Sequence, residues 1–72
     1  MLTKFIKKHI VDTNQEIVAH IEIDVAPGKG ENTTIYDVEK KSRRIFRVMD
    51  VNTVYTIYPD GAVIASWEIY VE

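Results

Sequence analysis

The chain has 72 residues, of which 46% are hydrophobic and 28% are charged, with a formal net charge of −2 at pH 7. That composition is too apolar for intrinsic disorder and fits one small folded domain. Because there is no cysteine, neither a disulfide nor a thiolate metal site can supplement the core. No apolar run approaches the about 20 residues of a membrane-spanning helix, and no secretory signal is recognisable. We therefore expect a single cytoplasmic domain over residues 1–72 without a membrane partner.

The first two elements are predicted to be strands. Residues 16–25 alternate between apolar and polar side chains, the pattern of a strand buried on one face. Residues 3–11 fit either a strand or an amphipathic helix. We favour the strand because residues 12–15 have turn-forming chemistry and the following element is a strand, so that a hairpin closes the segment locally.

The two histidines raise the question of a metal site. If the first hairpin closes at residues 13–14, Lys7 pairs with His20, and His9 lies diagonally from it on the same face. Two imidazoles beside Glu22 resemble a ligand set for zinc or iron. Surface histidines on a half-exposed sheet explain the same residues better, and we expect neither a metal nor a cofactor.

Residues 34–50 are predicted to form a helix. Their apolar side chains recur at helical spacing and occupy one side of a helix at about 100° per residue. Acidic residues come early in the segment and arginines late, the order that the helix dipole favours. The alternative is a hairpin in which residues 35–39 pair with residues 44–49. The β-branched and aromatic content permits that hairpin, but residues 44–51 alternate poorly. The apolar stripe consists of Ile35, Val38, Ile45, Phe46 and Met49.

The C-terminal residues are predicted to form a second hairpin. Residues 58–62, with the sequence Tyr-Pro-Asp-Gly-Ala, have strong turn chemistry because proline presets its own φ and glycine accepts a left-handed conformation. Placing Tyr58 opposite Ala62 pairs residues 53–57 with residues 63–67. The resulting apolar face comprises Tyr55, Ile57, Val63, Ala65, Trp67, Ile69 and Val71.

Together these elements predict an α+β fold of two layers. The order is ββαββ, a four-stranded antiparallel sheet with one helix on one face. If residues 34–50 are instead a hairpin, the alternative is an all-β small barrel of five to six strands.

Two surfaces are candidates for binding. The first is a basic face on the central segment, which suits an acidic protein partner or the phosphates of a nucleic acid. Tyr36 is placed on the same side and could stack on a base. The basic face consists of Lys40, Lys41, Arg43, Arg44 and Arg47.

The second surface is the face of the sheet that the helix leaves uncovered. An apolar patch rich in tyrosine and valine is typical of an interface, either between two copies of the chain or with another protein. The predicted interface residues are Val18, Val54, Tyr58, Ile64 and Tyr70.

No arrangement of serine, histidine or carboxylate residues matches a catalytic motif, so we expect no enzymatic activity. The function predicted from the sequence is a small non-enzymatic interaction module that binds a protein partner or itself through these two surfaces. The alternative is a nucleic-acid-binding protein that uses the basic face of residues 40–47. A steep loss of affinity with rising salt would favour the alternative.

Overall fold

A computed structural model of the protein describes residues 1–8 and 14–72. In those residues there is no helix, and none therefore that could cross a membrane. One curled sheet has the strand order β2-β1-β5-β4-β3. Neighbouring strands are antiparallel except β1 and β5, which run parallel. The strands are β1 (Leu2–Lys8), β2 (Gln15–Glu22), β3 (Asn32–Asp37), β4 (Ser42–Ile57) and β5 (Val63–Val71).

The predicted α+β fold is wrong, because residues 34–50 form a hairpin and not a helix. β3 pairs with the first part of β4 from Asn32 opposite Arg47 to Asp37 opposite Ser42. The architecture is the all-β alternative, a nearly closed five-stranded barrel whose two edge strands, β2 and β3, are not paired with each other. Of the predicted apolar stripe, Val38, Ile45 and Met49 are exposed, whereas Phe46 is buried.

The side chains of the first part of β4 do alternate with period two in burial, but their polar or apolar character does not follow the same alternation. From Ser42 to Met49 the side chains alternate between the inside and the outside of the barrel. Arg44 occupies an inward position, whereas Ile45 and Met49 face outward, so the strand reads as irregular in hydropathy. Arg44 is accommodated inside because its guanidinium lies over the ring of Phe46, 4.8 Å from the centroid, and reaches a carboxylate on β2.

The first hairpin is confirmed as two strands over the described residues, but its register differs from the prediction. His20 pairs with Lys4 and not with Lys7, which lies opposite Glu16. A β-bulge at Val18 shifts the ladder by one residue. Beyond the bulge Ile17 is exposed, while Val18 packs against the core. The alternation of residues 16–25 predicts Ile17 on the buried face and Val18 on the outer face. A one-residue shift exchanges the two faces of a strand, so the structure has these two residues the other way round.

The C-terminal hairpin has the predicted register. Ile57 lies opposite Val63 and Thr53 opposite Trp67, and the Tyr58 amide donates to the Ala62 carbonyl at 2.8 Å. Only the half of the predicted apolar face nearest the barrel is buried: Ile69 and Val71 belong to the core, with Trp67 packed against it. The other half is exposed, because the tip of the hairpin projects beyond the barrel. We call residues 52–64 the β4–β5 arm.

The core is small and lies inside the curl of the sheet. Its buried side chains come from three strands that are contiguous in the order β1, β5 and β4, and partly buried residues of β2 and β3 complete it. Most of the buried apolar side chains among the described residues therefore form one cluster, and Ile6 is buried outside it. That cluster consists of Phe5, Phe46, Val48, Ile69 and Val71.

Candidate functional site: the outer face of the β3–β4 hairpin

The outer face of the β3–β4 hairpin presents an aromatic side chain beside arginines. Tyr36 lies directly opposite Arg43, and both side chains are exposed. Four residues further along β4, Arg47 lies opposite Asn32, and Ile45 occupies the position on the same face between the two arginines. Directly opposed residues of an antiparallel pair share a face and lie within about 5.5 Å of each other at the Cβ atoms. Tyr36, Arg43, Ile45 and Arg47, with the lysines of the adjoining turn, are hereafter the basic hairpin face.

The turn that joins β3 to β4 adds two lysines at the end of this face. The amide of Lys40 donates to Asp37 Oδ1 at 3.0 Å, and the amide of Lys41 donates to the carbonyl of Val38 at 3.3 Å. Lys41 has a φ of 52°, a left-handed conformation that closes the turn. The Asp37 carboxylate is thus engaged by the turn backbone, and the side chains of Lys40 and Lys41 are exposed at its tip.

Charge is segregated onto this hairpin. Residues 32–48 contain five of the nine Lys and Arg residues but only two of the eleven Asp and Glu residues, a net charge of +3 on a chain of net charge −2. One of those two acids is Asp37, which bonds to the turn. Among the described residues, Arg43 and Arg47 form no ion pair. Both guanidinium groups are therefore available to an external anion.

Arg44, which the sequence assigned to the basic face, points the other way. Its Nη1 and Nη2 donate to the two carboxylate oxygens of Glu16 on β2, at 3.0 and 3.4 Å. This hydrogen bond is the main reason that the pKa of Arg44 is raised above its ordinary value, with the charge of Glu16 adding to it and desolvation opposing it. The structure therefore brings four of the five predicted basic residues together and gives Arg44 a role in closing the barrel.

The predicted interface residues do not all share one surface. Val54, Tyr58 and Ile64 line a single concavity of the outer sheet face, which Leu2 also lines. Tyr70 belongs to the same face of β5 but lies nearer its C-terminal end, opposite Asp50. Val18 is directed toward the core by the bulge.

A metal site receives no support from the described residues. They contain no group of three histidine, cysteine or acidic side chains that could hold a metal ion. His20 lies opposite Lys4, and the predicted partner His9 lies outside the described residues.

Sequence reasoning missed Ile45 as a member of the basic hairpin face. The helix prediction placed this residue in the core, yet 64% of it is exposed between the two arginines. The signal that could have found it is the alternation of Arg43, Ile45 and Arg47 against Arg44, Phe46 and Val48, read with period two.

Comparisons with protein-family models, with curated proteins and with solved structures found no match to this chain.

Proposed function

We propose that the protein binds single-stranded nucleic acid through the basic hairpin face, acting as a binding module and not as an enzyme. The observation that carries the proposal is the exposed pair of Tyr36 and Arg43 on adjacent strands, with Arg47 on the same face. An aromatic ring on a sheet surface provides a platform for a base, and neighbouring guanidinium groups bind the phosphates.

The spacing of the basic residues supports an extended ligand. Arg43 and Arg47 are four residues apart on one strand, about 13 Å at the rise of an antiparallel strand. Lys40 and Lys41 continue the positive charge beyond Arg43 at the turn. A chain of phosphates laid along β4 would therefore meet positive charge at the turn, at Arg43 and at Arg47.

A single strand fits this face better than a duplex does. In a duplex the bases are stacked on one another, and the face of a tyrosine ring has no base to contact. The two elements that most often read the major groove are a helix and a two-stranded ribbon that fits into the groove. Here the aromatic ring stands on the broad outer face of a curled sheet, the arrangement that single-strand-binding sheets use.

The proposal is tested by fluorescence anisotropy with labelled single-stranded DNA and RNA of mixed sequence, over a series of salt concentrations. The double variant R43Q/R47Q is compared with K4Q/K29Q, which lowers the net charge by the same amount at exposed lysines outside the hairpin. We expect R43Q/R47Q to weaken binding by about tenfold or more and to flatten the salt dependence by about 0.7 per lost phosphate contact. K4Q/K29Q should retain most of the affinity.

Two results would contradict the proposal. One is the absence of binding by the wild type at low salt. The other is an equal loss of affinity in R43Q/R47Q and K4Q/K29Q, which would mean that only net charge matters. Binding of an acidic peptide by the same face, without binding of nucleic acid, would assign these arginines to a protein partner instead.

A further inference from the structure

The second half of β4 has an open backbone edge. β3 pairs with β4 only between Ser42 and Arg47, and two further hydrogen bonds join Val48 to Gly30 and Glu31. From Val48 to Ile57 the opposite edge of β4 pairs with β5. Among the described residues no strand covers the β3 side of β4 beyond Val48. An uncovered edge presents unpaired N–H and C=O groups that can accept another strand.

The pairing of β4 with β5 determines which residues of β4 have backbone N–H and C=O groups at the open edge. Because the Tyr58 amide bonds to Ala62 and hydrogen-bonded pairs alternate along an antiparallel ladder, the even-numbered residues back to Asn52 are directed to β5. The odd-numbered residues Thr53, Tyr55 and Ile57 therefore direct their N–H and C=O groups to the open edge. The Val51 amide is already engaged, since it donates to Asp50 Oδ1 at 2.9 Å.

Nothing in the sequence of this edge prevents pairing. Residues 51–57 read Val-Asn-Thr-Val-Tyr-Thr-Ile, without charge, proline or glycine. Proteins usually protect edge strands with lysine, proline or a bulge. The edge strand β2 has such protection, with two glutamates and a bulge. β4 has a bulge at Met49 followed by Asp50, but residues 51–57 have neither a bulge nor a charge.

The same segment is complementary to itself. If two copies pair antiparallel with Val54 opposite Val54, then Thr53 lies opposite Tyr55 and Val51 opposite Ile57. The hydrogen-bonded positions of this register are the odd-numbered residues, the ones whose backbone groups are open. Cross-strand pairs of β-branched and aromatic side chains stabilise a sheet. Tyr55 and Ile57, which are 69% and 73% exposed in one copy, would each gain a neighbour.

We propose that two copies of the chain associate through the open edges of β4, forming a two-fold dimer with Val54 on the axis and a continuous sheet across it. An isologous contact of this kind closes on itself and does not propagate into a filament. The dimer surface is separate from the basic hairpin face, so this proposal does not depend on nucleic-acid binding.

The proposed dimer is tested by placing a charged side chain at position 54, on the two-fold axis. The dissociation constant of the dimer is measured by sedimentation velocity for the wild type, V54K and V54E. S66K is the control, because Ser66 lies directly opposite Val54 on β5, one strand away from the edge. Like charges directly opposed are destabilising, so V54K and V54E should each dissociate at least about tenfold more readily than the wild type, and S66K should not. An equimolar mixture of V54K and V54E should associate again, because lysine then faces glutamate.

A second measurement on the wild type guards against misfolding of the variants. Amide hydrogen exchange at Thr53 and Tyr55 should slow as the protein concentration rises, whereas exchange at Asn52 and Thr56, already bonded to β5, should not change. A wild type that is monomeric up to millimolar concentration would overturn the proposal. A dimer that V54K leaves intact, or a V54K–V54E mixture of folded variants that stays monomeric, would also overturn it.

Discussion

Arg44 on β4 and Glu16 on β2 form a forked ion pair across the seam where the barrel is not closed by strand pairing. The two nitrogens of the guanidinium reach the two oxygens of the carboxylate at 3.0 and 3.4 Å. Bidentate pairs are more specific in geometry than single contacts. Residues 28 positions apart in the chain thus join two strands that have no ladder between them.

We expect this ion pair to be worth about 0.5–1 kcal/mol, because both side chains remain 40% exposed and solvent screens them. The variants R44M, E16Q and R44M/E16Q form a double-mutant cycle that can be followed by urea unfolding. The double variant should be less destabilised than the sum of the single variants. Strict additivity would show that the pair contributes nothing.

Near neutral pH, Arg44 should not make the free energy of unfolding depend on pH. A base whose pKa is raised by folding contributes its stability at every pH below its ordinary value and loses it only as the pH rises through the raised value. For Arg44 that window lies in strong alkali. Urea unfolding of the wild type and R44M between pH 6 and about pH 9 should therefore differ by a constant free energy. A difference that shrinks over this range would contradict the assignment.

Lys41 is in the left-handed conformation, with a φ of 52°. A residue with a Cβ atom is disfavoured there, whereas glycine is not. We expect K41G to raise the free energy of unfolding by about 0.5–1 kcal/mol, net of the greater freedom of glycine in the unfolded chain. K40G is the matched control, because Lys40 has no positive φ, and it should be neutral or destabilising. A destabilised K41G would show that this turn has another conformation.

Two substitutions in β4 distinguish the hairpin formed by residues 34–50 from the helix predicted for the same residues. In the hairpin Ile45 is exposed and Phe46 is buried, whereas the helix would bury both. We expect I45T to change stability by less than about 0.5 kcal/mol and F46A to cost about 3–5 kcal/mol, measured by thermal and urea unfolding. Similar large losses in both variants would favour the helix.

Substitutions of Tyr36 distinguish stacking by its ring from hydrogen bonding by its hydroxyl group in the proposed nucleic-acid site. Stacking of a base on an aromatic ring is worth about 1–3 kcal/mol, so Y36A should weaken binding of single-stranded RNA by about 5- to 150-fold. Y36F retains the ring and should keep most of the affinity. The measurement is the anisotropy titration at low salt, and equal affinities of Y36A and the wild type would remove the base platform from the account.

The parts of the fold that local chemistry determines could be predicted from the sequence. The Tyr-Pro-Asp-Gly-Ala turn sets the C-terminal register residue by residue, and the first two elements are strands as their alternation indicates. The central segment could not be predicted, because Arg44 occupies an inward position where it lies over Phe46 and bonds to Glu16, a partner that is remote in sequence. The bulge at Val18 likewise leaves no local signal, and it moves Val18 from the predicted interface to the core.

Of the candidate sites, the basic residues were identifiable by type but not by direction. A helix would display all of them on one side, whereas a strand separates Arg44 from Arg43 and Arg47. Protein binding through the sheet face that carries Val54, Tyr58 and Ile64 stays a prediction, as does the cytoplasmic location.

The most direct test of the account is a titration of the ¹⁵N-labelled protein with a single-stranded oligonucleotide, followed by two-dimensional amide NMR. We expect the largest shifts on Tyr36, Arg43, Ile45 and Arg47 and on the turn that carries Lys40 and Lys41. The Nε–H signal of Arg44, whose two Nη atoms donate to Glu16, should change little. The absence of saturable shifts, or shifts concentrated on the β4–β5 arm instead of the hairpin, would contradict the basic hairpin face as the binding site.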